Sequence, residues 1–125
     1  MSFTETLRSL VDDCGGGLGA ALMGSDGIPI EQVSASGPGA PGLPHDEIGA
    51  AGVEFGRILE EMRKASDALG GGALVETVVT LARFTLVLRV VDADTFLVLA
   101  LAPDGNLGKA RYLIRRHLLA IREQL

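Results

Sequence analysis

One cysteine, no tryptophan, one tyrosine and no apolar run near membrane length already narrow what this chain can be. A single thiol, Cys14, can form neither an internal disulfide nor a cysteine-based metal site. A reducing compartment is the simplest setting, and the chain is expected to be cytoplasmic. The longest apolar stretches are strand-sized and fall short of the ~20 residues of a membrane span. The first residues, MSFTETLRSLVDD, carry early acids and no apolar core, so no signal peptide is expected. Cations are scarce: 11 Lys and Arg against 16 Asp and Glu give a net charge of −5. That balance argues against nucleic acid as a partner, because nonspecific binding rests on a basic patch that displaces counterions.

What is present is an ordinary globular composition, 47% hydrophobic and 22% charged over 125 residues. The length suits one domain spanning 1–125, with enough chain to bury one core. Residues 2–14 read as a helix. Ser2 and Glu5 have the spacing of a capping box, and Phe3, Leu7, Leu10, Val11 and Cys14 form its apolar stripe. Gly15-Gly16-Gly17 ends it. Strands at 18–23 and 28–35 follow, joined by Ser25-Asp26-Gly27, a turn that tolerates positive φ. The run SGPGAPGLP at 36–44 is an irregular connector.

Residues 45–69 read as a long helix, with Ile48, Ala51, Gly52, Phe55, Ile58, Leu59, Met62, Ala65 and Leu69 recurring at three and four. Gly70-Gly71-Gly72 closes it. Strands are expected at 73–82, 84–91 and 95–102, rich in Val, Leu, Thr and Phe. Their short connections, at Arg83 and at Asp92-Ala93-Asp94, make them an antiparallel meander. Asn106 is placed to cap a last helix, 107–124, that buries Leu107, Ala110, Leu113, Ile114, Leu118 and Ile121. Its other face carries Lys109, Arg111, Arg115, Arg116 and Arg122.

The expected fold is therefore α/β, in the order α-β-β-α-β-β-β-α. Strands 84–91 and 95–102 are apolar on both faces, so the sheet must be covered on both sides. The long helix covers one side and the other two helices cover the second. Pro29 cannot donate to a ladder and puts the second strand at an edge. The sheet order is then 2-1-5-4-3, an antiparallel-rich sheet of five strands. The edge at 73–82 has no proline and one acid, Glu76, which invites pairing with a second copy. A homodimer is expected there, through Leu74, Glu76, Val78 and Thr80. The long helix would lie beside its counterpart through Gly49, Gly52, Phe55, Gly56 and Leu59.

Three stretches carry a family resemblance: the hairpin Ala20-Ala21-Leu22-Met23-Gly24-Ser25-Asp26-Gly27-Ile28-Pro29-Ile30, the strand Phe96-Leu97-Val98-Leu99-Ala100-Leu101, and Asn106-Leu107-Gly108 with Arg111 opening the last helix. In this order they resemble the Roadblock/dynein light-chain superfamily over nearly the whole chain, and its bacterial MglB-like members in particular. The resemblance implies a dimeric, non-catalytic platform that binds a small Ras-like GTPase and modulates its nucleotide cycle, GTPase activation being favoured. Together with the dimer argument it also places the GTPase contact on the middle helix, at Arg57, Glu60, Glu61, Arg63 and Lys64, and on the sheet edge beside it. The chain ends with its last helix, so a C-terminal regulatory extension of the kind some MglB-like proteins carry is not expected.

Other motifs carry less. Gly15, Gly17 and Ala20 imitate a dinucleotide fingerprint, but they follow a helix and open a strand, the reverse of what that motif needs. Gly108-Lys109-Ala110 lacks the glycine and hydroxyl of a phosphate loop. Cys14 on an apolar stripe reads as a buried thiol, and neither His45 nor His117 pairs with it as a catalytic base would. Asp92 and Asp94 read as solvated turn acids rather than metal ligands. No catalytic residue, cofactor or metal is expected. Two other classes stay open: a scaffold without effect on hydrolysis, and a PAS- or profilin-like sensor with a ligand cavity.

Overall fold

The computed structural model describes residues 2–35 and 45–125; the expected connector at 36–44 lies outside them. The element order is α1 (Phe3–Asp13), β1 (Gly17–Gly24), β2 (Pro29–Ser34), α2 (His45–Leu69), β3 (Glu76–Thr80), β4 (Thr85–Asp92), β5 (Thr95–Leu101) and α3 (Leu107–Gln124). The five strands form one antiparallel sheet in the order β2-β1-β5-β4-β3.

Local chemistry sets each boundary. Ser2 and Glu5 form the capping box of α1: Glu5 N–H donates to Ser2 Oγ at 3.1 Å, and Ser2 N–H donates to Glu5 Oε2 at 3.3 Å. Asn106 caps α3 by accepting from Lys109 N–H at 3.0 Å. The β1–β2 turn closes with Gly24 N–H on Ile28 O at 2.9 Å, and Gly27 takes φ +87°. Asp26 Oδ1 accepts from Ile28 N–H at 3.1 Å, which gives the acid a structural task inside the turn.

Pro29 does lie on an edge strand. Leu22 is opposite Glu31 and Met23 is opposite Pro29, so Ile30 is an extra residue, bulged out of the pairing. Proline and bulge together blunt the β2 edge. At the other edge β3 is shorter than expected, five residues instead of the ten at 73–82. Gly72 at φ +83° turns the chain into it, and only the Val90 N–H to Val75 O bond, 3.0 Å, continues the ladder before Glu76.

Two cores lie on opposite faces of the sheet. Leu7, Leu10 and Val11 of α1, its C-cap Cys14, and Ala110, Leu113, Ile114, Leu118 and Ile121 of α3 cover one face, with Val87, Val91, Leu97, Leu99 and Leu101. Ile48 and Leu59 of α2 cover the other, with Met23, Leu86, Leu88, Phe96 and Val98. Alternation along β4 and β5 supplies both cores from the same strands. The apolar stripe expected on α2 is too wide. Ile58 and Leu69 are 45% and 86% exposed, and Ala65 is exposed as well. Ile58 lies about 100° around the helix from the core residue Leu59, with Ala65 on the same flank, and Leu69 is the last residue of α2.

Candidate functional site

The residues expected to let two α2 helices meet face inward instead. A Cβ added to Gly49 would stand 2.7 Å from Gln32 Oε1, at Gly52 it would stand 2.7 Å from Met23 Sδ, and at Gly56 2.9 Å from Phe96 Cζ. Leu59 is 2% exposed and belongs to the core. These four residues seat α2 on its own sheet, so the close approach they allow is intramolecular. A periodicity reading finds the small residues but cannot tell which neighbour they admit.

What α2 leaves outward is different. Phe55 and Met62 are half-buried and pack on the same core as Leu74, Val79 and Phe84 at the β3 side. Ile58, Ala65 and Leu69 stand three, four or seven residues from them, on the same flank of the helix. Val75 and Leu81, 54% and 38% exposed, bracket β3. An apolar ledge thus runs from α2 to the open edge of the sheet. Of the edge residues expected at an interface, Thr80 is exposed and Leu74 and Val78 are half-buried, with Val78 turned to the α1/α3 side.

Glu76 has a task that the sequence reading missed. Its Oε2 accepts from Arg111 Nε at 2.8 Å and pairs with Arg111 Nη2 at 2.7 Å. Its Oε1 lies 4.0 Å from Arg89 Nη1, on the residue directly opposite in the β3–β4 register. The Glu76 and Arg89 side chains are 11% and 16% exposed. Glu76 Oε1 and Arg89 Nε have no hydrogen-bond partner. One signal was available in advance: a hairpin closing near 82–83 sets 76 opposite 89. The contribution of Arg111 needs the position of α3, which no local pattern encodes.

The charged residues assigned to a GTPase contact lie along α2 and are paired within it. Arg57 holds Glu54 at 2.6 Å, Lys64 holds Glu61 at 3.2 Å, and Arg63 stands 3.5 Å from Glu60. Arg63 also donates to Ala93 O at 3.2 Å, which ties α2 to the β4–β5 turn. Glu60, Glu61 and Arg57 line a hollow of about 380 Å³ with Val53, Gly56, Phe96 and the Ser25-Asp26-Gly27 turn. A larger hollow, about 520 Å³, opens between the end of α2, residues 72–75 and the end of β4.

The remaining candidates are structural. Cys14 is fully buried, and burial pushes its thiol above the ordinary value. Asp92 Oδ1 accepts from Asp94 N–H at 2.9 Å and shapes the turn. His117 is half-buried on α3. Among the described residues no group of three or more His, Cys, Asp or Glu could hold a metal ion, and no helix is long and apolar enough to cross a membrane.

No family model matches the chain, and no curated protein matches it. Solved structures do. MglC from Myxococcus xanthus is 35% identical, with 100% of both chains covered and a TM-score of 0.70. A Roadblock/LC7 domain from Streptomyces avermitilis is 18% identical over 98% of this chain and 97% of that one, with a TM-score of 0.83. The gliding protein MglB from Thermus thermophilus is 20% identical over 97% of this chain and 86% of that one, with a TM-score of 0.82.

Proposed function

Since this chain belongs to the Roadblock/LC7 superfamily, with MglC among its relatives, we propose that it is a homodimeric, non-catalytic adaptor that binds a small Ras-like GTPase and modulates its nucleotide cycle. The observation that carries the dimer is the asymmetry of the sheet. β2 is blunted by Pro29 and the Ile30 bulge, whereas β3 ends the sheet with an open edge beside the apolar ledge of Ile58, Leu69 and Val75. Two β3 strands paired across a two-fold axis would join two sheets and cover both ledges. The contact across α2 would then use Ile58, Ala65 and Leu69 rather than Gly49, Gly52, Gly56 and Leu59.

The outward charges of α2 suit the rim of a GTPase contact, with Arg57, Glu60 and Glu61 around the hollow that holds Val53, and Lys64 beyond them, paired with Glu61. Such a surface acts by preferring one arrangement of the GTPase switches, and it shifts their population by its differential affinity alone. Arg63 makes a poor catalytic finger, because its guanidinium is already held by Ala93 O and Glu60. Arg57, 75% exposed and paired with exposed Glu54, is the remaining candidate; Arg57→Ala with unchanged hydrolysis would leave activation to the GTPase's own groups.

The test is affinity capture from source-cell lysate, with GDP in one arm and a nonhydrolysable GTP analogue in the other, followed by binding and hydrolysis assays with the purified GTPase. Preference for the analogue arm and faster hydrolysis support the reading. Capture of a GTPase with unchanged hydrolysis moves the assignment to a scaffold, and no GTPase in either arm overturns it.

A further inference from the structure

α3 concentrates charge of one sign in a chain of the other. It holds five of the eleven cations, with Glu123 as its one acid among sixteen. The helix is net +4 in a chain of net −5, which leaves −9 on everything else. Two of the five cations are occupied: Arg111 by Glu76, and Arg122, whose Nε donates to Val91 O at 2.8 Å. Lys109, Arg115 and Arg116 are exposed and make no ion pair among the described residues.

Two large apolar side chains stand between them. Tyr112 is 53% exposed and Leu119 is 65% exposed. They are seven residues apart, two helical turns or about 10.5 Å along the axis. The helical period sets Lys109 and Arg116 on one side of this line and Arg115 on the other. Gly108, one turn before Tyr112, leaves the line open at its start, since a Cβ there would meet nothing closer than Asn106 Oδ1 at 3.8 Å. Tyrosine and arginine around an apolar spine are the residue types that dominate protein interfaces.

We infer that the outer face of α3 is a docking site for an acidic amphipathic helix of another protein. Apolar residues seven apart on the incoming helix meet Tyr112 and Leu119, and its carboxylates meet Lys109, Arg115 and Arg116. The seven-residue spacing is the one a facing helix offers. An anionic membrane shares the charge requirement but fits less well. α1 lies in the same layer as α3, and Asn106 N–H on Gly15 O, 2.8 Å, joins the start of α3 to the end of α1. A flat anionic surface would press on exposed Asp12 and Asp13 as well. These acids share the outer layer with the basic face and would repel such a surface. A single helix lying along α3 meets the basic face and avoids those acids. The site is on the opposite side of the sheet from α2, so it stands or falls independently of the GTPase reading.

The test places a photo-crosslinking benzoylphenylalanine at Leu119 of the full chain in its native cells and identifies the attached segment by mass spectrometry. The expected result is a protein adduct whose attached segment is net acidic with apolar residues at helical spacing. Its yield should fall roughly tenfold in Arg115→Glu/Arg116→Glu, and should be unchanged in Arg83→Glu, an exposed cation in the β3–β4 turn. The charge-reversed variant is checked for an unchanged far-ultraviolet spectrum and melting temperature. Several results would overturn the inference: no adduct above that of the same probe at Asp104, an adduct indifferent to charge reversal, or a non-acidic segment. So would cosedimentation of the purified chain with phosphatidylglycerol vesicles that Arg115→Glu/Arg116→Glu abolishes.

Discussion

Glu76 on β3 grips Arg111 of α3 through one carboxylate oxygen, at 2.8 Å from Nε and 2.7 Å from Nη2, while its other oxygen faces Arg89 across the strand pair. The acid on the open edge thus belongs to the fold. It fastens the edge strand to a helix from the far end of the chain and offsets a half-buried guanidinium.

Removing that charge should cost more than removing its exposed partner. Glu76→Gln leaves Arg89 without its counter-ion and should destabilise the chain by about 2–3 kcal/mol. Arg111→Ala, whose side chain is 45% exposed, should cost about 1 kcal/mol or less. Urea unfolding followed by circular dichroism measures both, and equal losses would contradict the assignment.

Gly56 carries a second expectation. A valine there meets Phe96 beneath α2, so Gly56→Val should destabilise by about 1–3 kcal/mol. The loss should be present at every protein concentration, because the clash is within one chain. A loss confined to dilute samples would instead mean that this face touches a second copy.

The dimer has its own test. Ile58→Glu/Leu69→Glu replaces exposed apolar side chains, so the fold should survive with a stability change within about 0.5 kcal/mol of zero per site in the isolated chain. Light scattering should show a dimeric mass for the original sequence at micromolar concentration and a monomeric mass for the variant. A dimer unaffected by both substitutions would place the contact elsewhere.

Cys14 predicts a pH dependence. Its thiol is raised by burial, so the folded state holds its proton more tightly than the unfolded chain does. Stability from this group is complete below the unfolded thiol value of about 8.5 and is lost as pH rises through the higher folded value. Cys14→Ala should remove that alkaline decline. Alkylation by iodoacetamide should be slow in the native protein and fast in denaturant.

Much of the architecture was legible because each element carries its own punctuation. The capping box at Ser2 and Glu5, the cap at Asn106, the Asp26-Gly27 turn and Pro29 each have a local cause and a local consequence, and the strand order followed from the proline. The two helices at 45–69 and 107–124 have the predicted bounds. What local pattern leaves open shares one physical origin. Gly49, Gly52 and Gly56 announce a close approach, but the identity of the approaching surface is a tertiary fact. Ile58 and Leu69 continue a helical stripe wider than the sheet covers, Ile58 at its flank and Leu69 at the helix end. Glu76 and Arg111 are 35 residues apart, and no periodicity links them.

The blunted β2 edge has a consequence for assembly size. A sheet with two receptive edges behaves like a bifunctional monomer: each addition exposes another reactive end, and association proceeds to a fibre. Pro29 and the bulged Ile30 blunt one edge, so among the described residues the sheet keeps one receptive edge, β3, and under the proposed pairing the chain is monofunctional. Strand pairing by such a unit terminates after a single step, and raising the concentration yields more pairs rather than longer ones.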